Sequence, residues 1–258
     1  MRRIVNSWLV GAALLLFLVP FAFSQDSVTL ELESGGNYTM DGVYVGPYTA
    51  NQTANGQTQS ASIICDDFKD EVVPGESWTA NITSYSTLAS TGGNTTGLMF
   101  NGYTAGGALL DGVSGNALQG YVAIAYLSSE MLPLVSNPAN AQQIGYLAYA
   151  IWAIFEPSQV QSWLGSGSAA WTAVEGLAQG ALSGALKNLY TASTFAGWEI
   201  LTPVAGSQNP GTQGLPQEYL EFVPEGGTAL MYLLLGGVCC FGTMFLKSRR
   251  RGAVSQVL

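Results

Sequence analysis

The chain has 258 residues, of which 48% are hydrophobic and 10% charged, and its formal net charge at neutral pH is −9. It contains no histidine, which excludes Ser–His and Cys–His nucleophilic pairs and every histidine-ligated metal site. The excess of carboxylates repels nucleic acid unless a cation such as Ca²⁺ bridges the two, so we expect no nucleic-acid partner.

The first 24 residues have the composition of a secretory signal peptide. Arg2 and Arg3 form a positive start, residues 8–19 are apolar, and Ala22 and Ser24 are small residues at the two positions that a signal peptidase reads. We therefore predict a signal helix over residues 1–24 that is cleaved on export. An uncleaved amino-terminal anchor helix is the alternative.

The amino-terminal half of the exported part is typical of strands. Residues 27–33 and 78–85 alternate apolar and polar side chains, and residues 43–45 and 61–65 are short apolar runs rich in β-branched side chains. The polar residues 51–60 are interpreted as a connection. Four or five antiparallel strands are predicted.

The middle of the chain is predicted to be helical, because the apolar period changes there after a glycine-rich loop. The apolar run 144–155 is too short to cross a bilayer, so it predicts a buried core helix. Two final strands are expected to return to the first sheet, which completes an α+β domain over residues 25–222. The predicted elements are a short helix near 103–110, helices over 116–132, 138–156 and 168–190, and strands over 195–204 and 218–223.

The carboxy-terminal end combines a short Pro-Glu segment, an apolar run and a cluster of cations. Residues 228–246 carry no charge, and nineteen residues are about the length that a helix needs to cross a hydrocarbon layer. Cations directly behind such a span keep that end in the cytoplasm. We therefore predict a transmembrane helix over 228–246 and a cytoplasmic tail over 252–258. The flanking residues are Val223, Pro224, Glu225, Gly226 and Gly227 before the span, and Lys247, Arg249, Arg250 and Arg251 after it.

The charges are segregated along the chain. Only Lys69 and Lys187 lie between the two predicted membrane segments, against seventeen carboxylates, so the exported part carries about −15. Cys65 is the one cysteine outside the predicted span, because Cys239 and Cys240 lie within it. The exported domain therefore has no partner for an intrachain disulfide, and its stability must come from packing.

This order of Pro-Glu segment, apolar helix and arginine cluster over residues 223–251 resembles the PEP-CTERM sorting signal of Gram-negative bacteria. Members of that family are cut near the signature by a membrane-embedded exosortase and passed to the cell envelope or the extracellular polymer. The family usually has proline after the glutamate, whereas Gly226 stands there, so Val-Pro-Glu-Gly-Gly is a variant signature. An ordinary tail anchor after a secretory signal is the alternative interpretation.

A second, weaker resemblance concerns the exported domain. Residues 64–68 (Ile-Cys-Asp-Asp-Phe), a following Pro-Gly turn and a later helix with Ala-Ile-Trp are similar to the layout of bacterial surface thioester domains. Those domains join a cysteine to a glutamine four residues before the tryptophan, and they capture nucleophiles covalently. Here Ala148 stands four residues before Trp152, which removes that chemistry and predicts a buried Cys65 beside a core tryptophan. An intact, reactive thioester at Cys65 is the alternative.

One dense group of carboxylates offers other chemistry. Asp66, Asp67, Asp70 and Glu71 are weak Ca²⁺ candidates, because they lack the alternating spacing of calcium loops. A solvated edge between strand and turn is the preferred interpretation. Two carboxyl groups also suffice for a glycosidase, but nothing in the sequence selects a pair.

Together these patterns predict an exported, non-enzymatic protein with a structural or adhesive role at the cell surface or in the extracellular matrix, without a cofactor. The expected partners are the membrane, an exosortase-like enzyme and extracellular polysaccharide, on which exposed aromatic rings could stack. A covalent thioester adhesin and an Asp/Glu-dependent hydrolase of envelope polysaccharide are the alternatives. The aromatic candidates are Tyr44, Tyr48, Tyr85 and Tyr103.

Overall fold

The structure, a computed structural model, describes residues 26–209 and 216–223. The predicted signal peptide, the sorting signal from Pro224 onward and the predicted span and tail lie outside these residues. Within the described ranges, no helix combines the length and the apolar character needed to cross a membrane.

Ten strands and five α-helices make up the described fold. The strands are β1 (Ser27–Ser34), β2 (Thr39–Met40), β3 (Val43–Tyr44), β4 (Tyr48–Ala54), β5 (Gln57–Cys65), β6 (Ser77–Ser84), β7 (Ala105–Gly106), β8 (Ser114–Gly115), β9 (Trp198–Pro203) and β10 (Tyr219–Phe222). The helices are α1 (Tyr85–Ser90), α2 (Ala117–Met131), α3 (Ala141–Ala153), α4 (Pro157–Leu164) and α5 (Ala169–Leu186). Short 3₁₀ turns, among them Ala108–Leu110, connect them.

Six of the strands close into an antiparallel barrel in the order β1, β4, β5, β10, β9, β6. The two carboxy-terminal strands lie between β5 and β6, so the prediction that they return to the first sheet is confirmed. The mixed α and β class is also confirmed. Closure into a barrel was not predicted, because pairing between β10 and β5 joins residues about 150 positions apart and leaves no local pattern.

The interpretation of residues 51–60 as a connection was wrong. These residues form the end of β4 and the start of β5, which pair as a hairpin around Asn55 and Gly56. Both turn residues have positive φ, 52° and 76°, which is the conformation that a two-residue type I′ turn requires and that Asn-Gly favours. The strands are polar because one face of this hairpin is solvated, as in many antiparallel sheets.

Aromatic side chains fill the inside of the barrel at one end. Tyr219 stacks on Trp78 with ring centroids 5.7 Å apart, and it meets Tyr48 edge-on at 5.8 Å. These rings come from strands β10, β6 and β4, so they meet across the barrel interior. The other end of the interior is polar, because it is lined by Gln52, Gln59, Glu199 and Glu221.

The helices cover the outside of the barrel along β5, β9 and β10. Outward residues of these strands are buried, including Ile64, Ile200 and Leu220 at 3%, 0% and 0% exposure. Helices α2, α3 and α5 pack on one another, and the prediction of a buried core helix over 144–155 is confirmed, since α3 is buried along most of its length. The Asn116 side chain and Gln119 form a reciprocal cap that starts α2.

Two helices were missed at positions where one element ends and another begins. Strand β6 stops at Ser84, whose hydroxyl caps α1 by accepting a hydrogen bond from the Thr87 N–H at 3.1 Å. Pro157 ends the preceding helix, as predicted, but it also starts α4, because proline fits the first helical turn where its missing N–H is not needed. Tyr85 therefore lies in α1 and not in a strand.

Candidate functional site

Cys65, the last residue of β5, lies in the interior with only 2% of its surface exposed. Its Sγ donates a hydrogen bond to the Asp67 carbonyl at 2.9 Å. Burial, together with the negative charges of Asp67 and Asp66, raises the pKa of the Cys65 thiol well above its ordinary value. The thiol is therefore neutral at physiological pH, and a neutral thiol is a poor nucleophile.

Trp152 of α3 lies directly against Cys65. Its indole Nε1 donates a hydrogen bond to the Cys65 carbonyl at 3.0 Å. Ala148, one turn earlier on α3, is buried, so the position four residues before Trp152 presents a methyl group and no amide. Gln142 and Gln143 are exposed at the start of the helix. This geometry agrees with a buried cysteine beside a core tryptophan.

A glutamine that the sequence analysis did not consider lies closer to the thiol. Gln217 precedes β10, and its Nε2 donates to the carbonyls of Asp67 and Asp70 at 3.1 and 2.5 Å. The Asp67 carbonyl is also the acceptor for Cys65, so thiol and amide meet at one oxygen. The hydroxyl of Tyr219 donates to Gln217 Oε1 at 2.9 Å, which fixes the amide and ties the loop after β5 to β10.

The most enclosed carboxyl groups are those of Asp66 and Glu218, both with 0% exposure. Glu218 Oε1 accepts a hydrogen bond from the Tyr121 hydroxyl at 2.6 Å. Its Oε2 accepts from the Met99 N–H at 3.0 Å and from the Thr202 hydroxyl. Three donors from three different segments therefore converge on one carboxyl group. These hydrogen bonds favour its charged form, but burial is the larger effect and raises the pKa of Glu218.

Asp66 has the opposite environment. No N–H or O–H donor of the described residues reaches either of its carboxyl oxygens. Burial, then the charge of Glu218, raises the pKa of Asp66 well above its ordinary value, which favours the protonated form of this carboxyl group.

Asp67 and Glu156 form a second, less enclosed pair. Asp67 Oδ1 accepts hydrogen bonds from the N–H groups of Lys69 and Asp70 at 2.9 and 3.3 Å. Glu156, at the junction of α3 and α4, accepts from the Phe68 N–H at 2.8 Å. Burial raises the pKa of Asp67 to about 7 and also raises that of Glu156. The pair anchors the loop after β5 to the helical layer.

The preferred interpretation of the acidic cluster as a solvated edge was therefore wrong for half of it. Asp66 and Asp67 are buried, Asp70 is half-buried and Glu71 is exposed, because the chain turns inward at the end of β5. In the described part of the chain, no group of three or more His, Cys, Asp or Glu side chains is placed to hold a metal ion. The cluster is divided between two carboxyl pairs, whose other members come from distant segments.

The arrangement links the barrel to the helices through polar contacts inside the core. Tyr121, which donates to Glu218, also accepts from the Phe100 N–H at 3.0 Å, and its own carbonyl accepts from the Tyr85 hydroxyl at 2.7 Å. A connected network of this kind specifies one packing of the layers, because a shift would leave several polar groups unpaired. Glu218 and Glu156 were not predicted as site residues, because both lie far along the chain from the acidic residues 66–71.

The two exposed members of the aromatic set are Tyr44 and Tyr103, at 49% and 53% exposure. Tyr48 and Tyr85 are buried, so the expectation that they could meet a sugar was wrong. Comparison with models of protein families, with curated proteins and with solved structures finds no match for this chain.

Proposed function

We propose that the chain is an exported structural or adhesive protein of the cell surface or extracellular matrix, delivered by an exosortase-type signal that begins at Val223. The observation that carries this proposal is the position at which the barrel ends. Strand β10 stops at Phe222, and the Val223 N–H still donates to the Gly197 carbonyl at 2.8 Å. The described fold is thus closed one residue before the Pro-Glu pair.

Closure at this point fits a signal that is removed. Strand β10 lies between β5 and β9 in the closed order of six strands, so the barrel needs it. Pro224 has no N–H with which to extend the ladder. A cut at or after the signature would therefore separate the arginine cluster from the domain and leave every barrel strand in place.

A non-enzymatic role is supported by how the reactive groups are used. The Cys65 thiol is buried and neutral, and the Asp66 and Glu218 carboxyl groups are enclosed in the core. A substrate would have to displace packed core to reach them. A structural role in the interface between barrel and helices is sufficient to explain why these groups are buried there.

The proposal is tested by changing Pro224 and Glu225 together to alanine and following the protein in its native host. We expect the variant to keep its precursor mass and to remain in the inner membrane, while the wild-type chain appears at its mature mass in the envelope or outside the cell. The matched control changes Glu71 and Pro74, an exposed Glu and an exposed Pro of the loop before β6, and should sort normally. If the Pro224/Glu225 variant showed the same mature mass and the same location as the wild type, the sorting proposal would be overturned.

A further inference from the structure

A cavity of about 460 Å³ opens at the polar end of the barrel, and residues of all six barrel strands line it. Its existence follows from the length of β10. That strand pairs with β5 only over residues 63–65, so among the described strands residues 57–62 of β5 pair with β4 alone. The barrel wall is therefore incomplete on this side, and the interior is accessible. We name this cavity the barrel mouth.

Two glutamates face each other in the barrel mouth. Glu199 of β9 and Glu221 of β10 are directly opposed in the antiparallel register, a position in which Cβ atoms are about 4.5–5.5 Å apart. Like charges in this position are destabilising. Burial and the charge of Glu199 raise the pKa of Glu221 to about 7, and burial also raises the pKa of Glu199. The pair is thus maintained at a cost to folding.

A chain of amides holds one of the two carboxylates in place. Gln59 Nε2 donates to Gln52 Oε1 at 3.0 Å, and Gln52 Nε2 donates to Glu221 Oε2 at 3.0 Å. Gln52 and Glu221 are only 6% and 8% exposed. In the part of the chain that the structure describes, no hydrogen-bond donor reaches Glu199 or the second oxygen of Glu221. The barrel mouth therefore presents unpaired carboxylate oxygens to a ligand, and the amide chain fixes the position of the Glu221 carboxylate.

The chemistry of the complementary ligand follows from these acceptors. The ligand must bring donors, and a positive charge would also relieve the repulsion between Glu199 and Glu221. Neither Lys69 nor Lys187 lines the barrel mouth, and the strongly acidic exported part attracts cations generally. A ligand with an ammonium group satisfies both requirements.

The walls and the size of the barrel mouth favour a sugar as the carrier of that ammonium group. Apolar side chains, among them Val28 and Ile82, line it together with the polar groups, and the Phe222 ring at its edge is 45% exposed. The volume lies within the range of small-molecule sites, so a saccharide unit fits. Hydroxyl groups of a sugar ring would supply further donors, and its C–H face suits an aromatic ring.

We propose that the barrel mouth binds an amino sugar of the extracellular polymer, with the ammonium group between Glu199 and Glu221. This inference rests on the proposed function, because it names the class of matrix component to which the exported protein adheres. Recognition is non-covalent, and the amides of Gln59 and Gln52 orient Glu221 for it.

Isothermal titration calorimetry at pH 7 and low salt tests the proposal on the full-length chain in detergent micelles. The probes are a glucosamine trisaccharide, the same trisaccharide with every amine acetylated, and trilysine. We expect the glucosamine trisaccharide to bind, and the acetylated form to bind at least about tenfold more weakly, since a charge-assisted hydrogen bond is lost. Glu199→Gln and Glu221→Gln should each weaken binding by about the same factor. Glu31→Gln, an exposed glutamate on the outside of the barrel, is the matched control and should bind as wild type.

Several results would overturn the proposal. Equal binding of the acetylated trisaccharide would show that the amine is not recognised, and binding of trilysine alone would assign the barrel mouth to a protein partner. Glucosamine binding that survives both glutamine substitutions would place it elsewhere on the chain. A Ca²⁺ titration with a heat that disappears in Glu221→Gln, without glucosamine binding, would identify a cation site instead. A chain that is sorted normally but does not bind the glucosamine trisaccharide would refute this inference and leave the proposed function intact. A chain that binds the trisaccharide but is not sorted would refute the proposed function and leave the binding site intact.

Discussion

The two members of the enclosed carboxyl pair should respond in opposite ways to removal of their charge. In Glu218→Gln, an amide replaces the carboxylate on which Tyr121, Met99 and Thr202 converge. An NH₂ group then replaces one of the two carboxyl oxygens, so an N–H donor faces Tyr121 or faces Met99 and Thr202, which are donors themselves. Each hydrogen bond to a charged group contributes about 1.5–3 kcal/mol. We therefore expect a loss of about 2–4 kcal/mol in the free energy of unfolding.

In Asp66→Asn the side chain keeps its shape and is neutral, as a protonated Asp66 is. Because neither carboxyl oxygen of Asp66 has a hydrogen-bond partner among the described residues, the substitution breaks no hydrogen bond, and at pH 5 we expect a change below about 0.5 kcal/mol in the free energy of unfolding. The raised pKa of Asp66 means that the folded chain keeps a proton that the unfolded chain loses above about pH 4. The contribution of this group to the free energy of unfolding therefore falls as the pH rises above about 4. At pH 8 the Asp66→Asn variant should be more stable relative to the wild type than it is at pH 5.

Urea unfolding followed by tryptophan fluorescence at pH 5 and pH 8 measures both effects, with Tyr85→Phe as a matched control. Tyr85 is equally buried, but its hydroxyl donates to a neutral carbonyl, so its loss should cost about 1 kcal/mol. If Asp66→Asn destabilised the chain at pH 5 as much as Glu218→Gln does, Asp66 would not be the protonated member, and the reasoning would fail.

Three further outcomes follow from the same geometry. Cys65 should resist alkylation in the native chain and react freely once unfolded, with an intact mass that shows no loss of ammonia; a native mass deficit of one ammonia that Gln217→Ala abolishes would instead demonstrate a thioester. Glu221→Gln should raise the melting temperature at pH 8 but not at pH 5. Folding raises the pKa of Glu221 from 4.5 to about 7, so the contribution of this group to stability declines as the pH rises between these two values. The expected gain in the free energy of unfolding at pH 8 is about 1–2 kcal/mol after allowance for partial solvation, and the same pH profile in variant and wild type would contradict it. Trp152→Phe should cost about 2–4 kcal/mol in urea unfolding, since the Cys65 carbonyl loses its donor in the core, whereas Trp163→Phe, at a side chain that is 54% exposed, should change stability by less than about 0.5 kcal/mol.

Much of the local structure could be predicted from the sequence because its signals are local. Helix α2 begins at the Asn116 cap and α5 at the Ser168 cap, and both lie within the predicted ranges. Alternation in β1 and β6 identified side chains that do face inward, among them Trp78 and Ala80. The polar hairpin of β4 and β5 escaped prediction because its solvated face weakens the apolar signal, although its Asn-Gly turn is a recognisable hairpin signature.

The candidate sites could be predicted only in part, because their geometry is non-local. The acidic cluster was recognised as unusual, but its division into buried pairs depends on Glu218 and Glu156, which lie far along the chain from Asp66 and Asp67. The sequence offered no basis for choosing two carboxylates among seventeen. Glu199 and Glu221 are brought together by the register between β9 and β10, in which they are directly paired.

Composition and periodicity by themselves determined the acidic charge of the chain, the absence of histidine chemistry, the mixed α and β class and most element positions. Composition is read directly from the sequence, and periodicity depends only on neighbouring residues. Only the tertiary structure decided that the strands close into a barrel, that Asp66 and Glu218 are buried together, and that β10 ends early enough to leave the barrel mouth open. Closure and register are set by contacts between residues distant in the chain, and the free energy of those contacts appears only when the layers pack together.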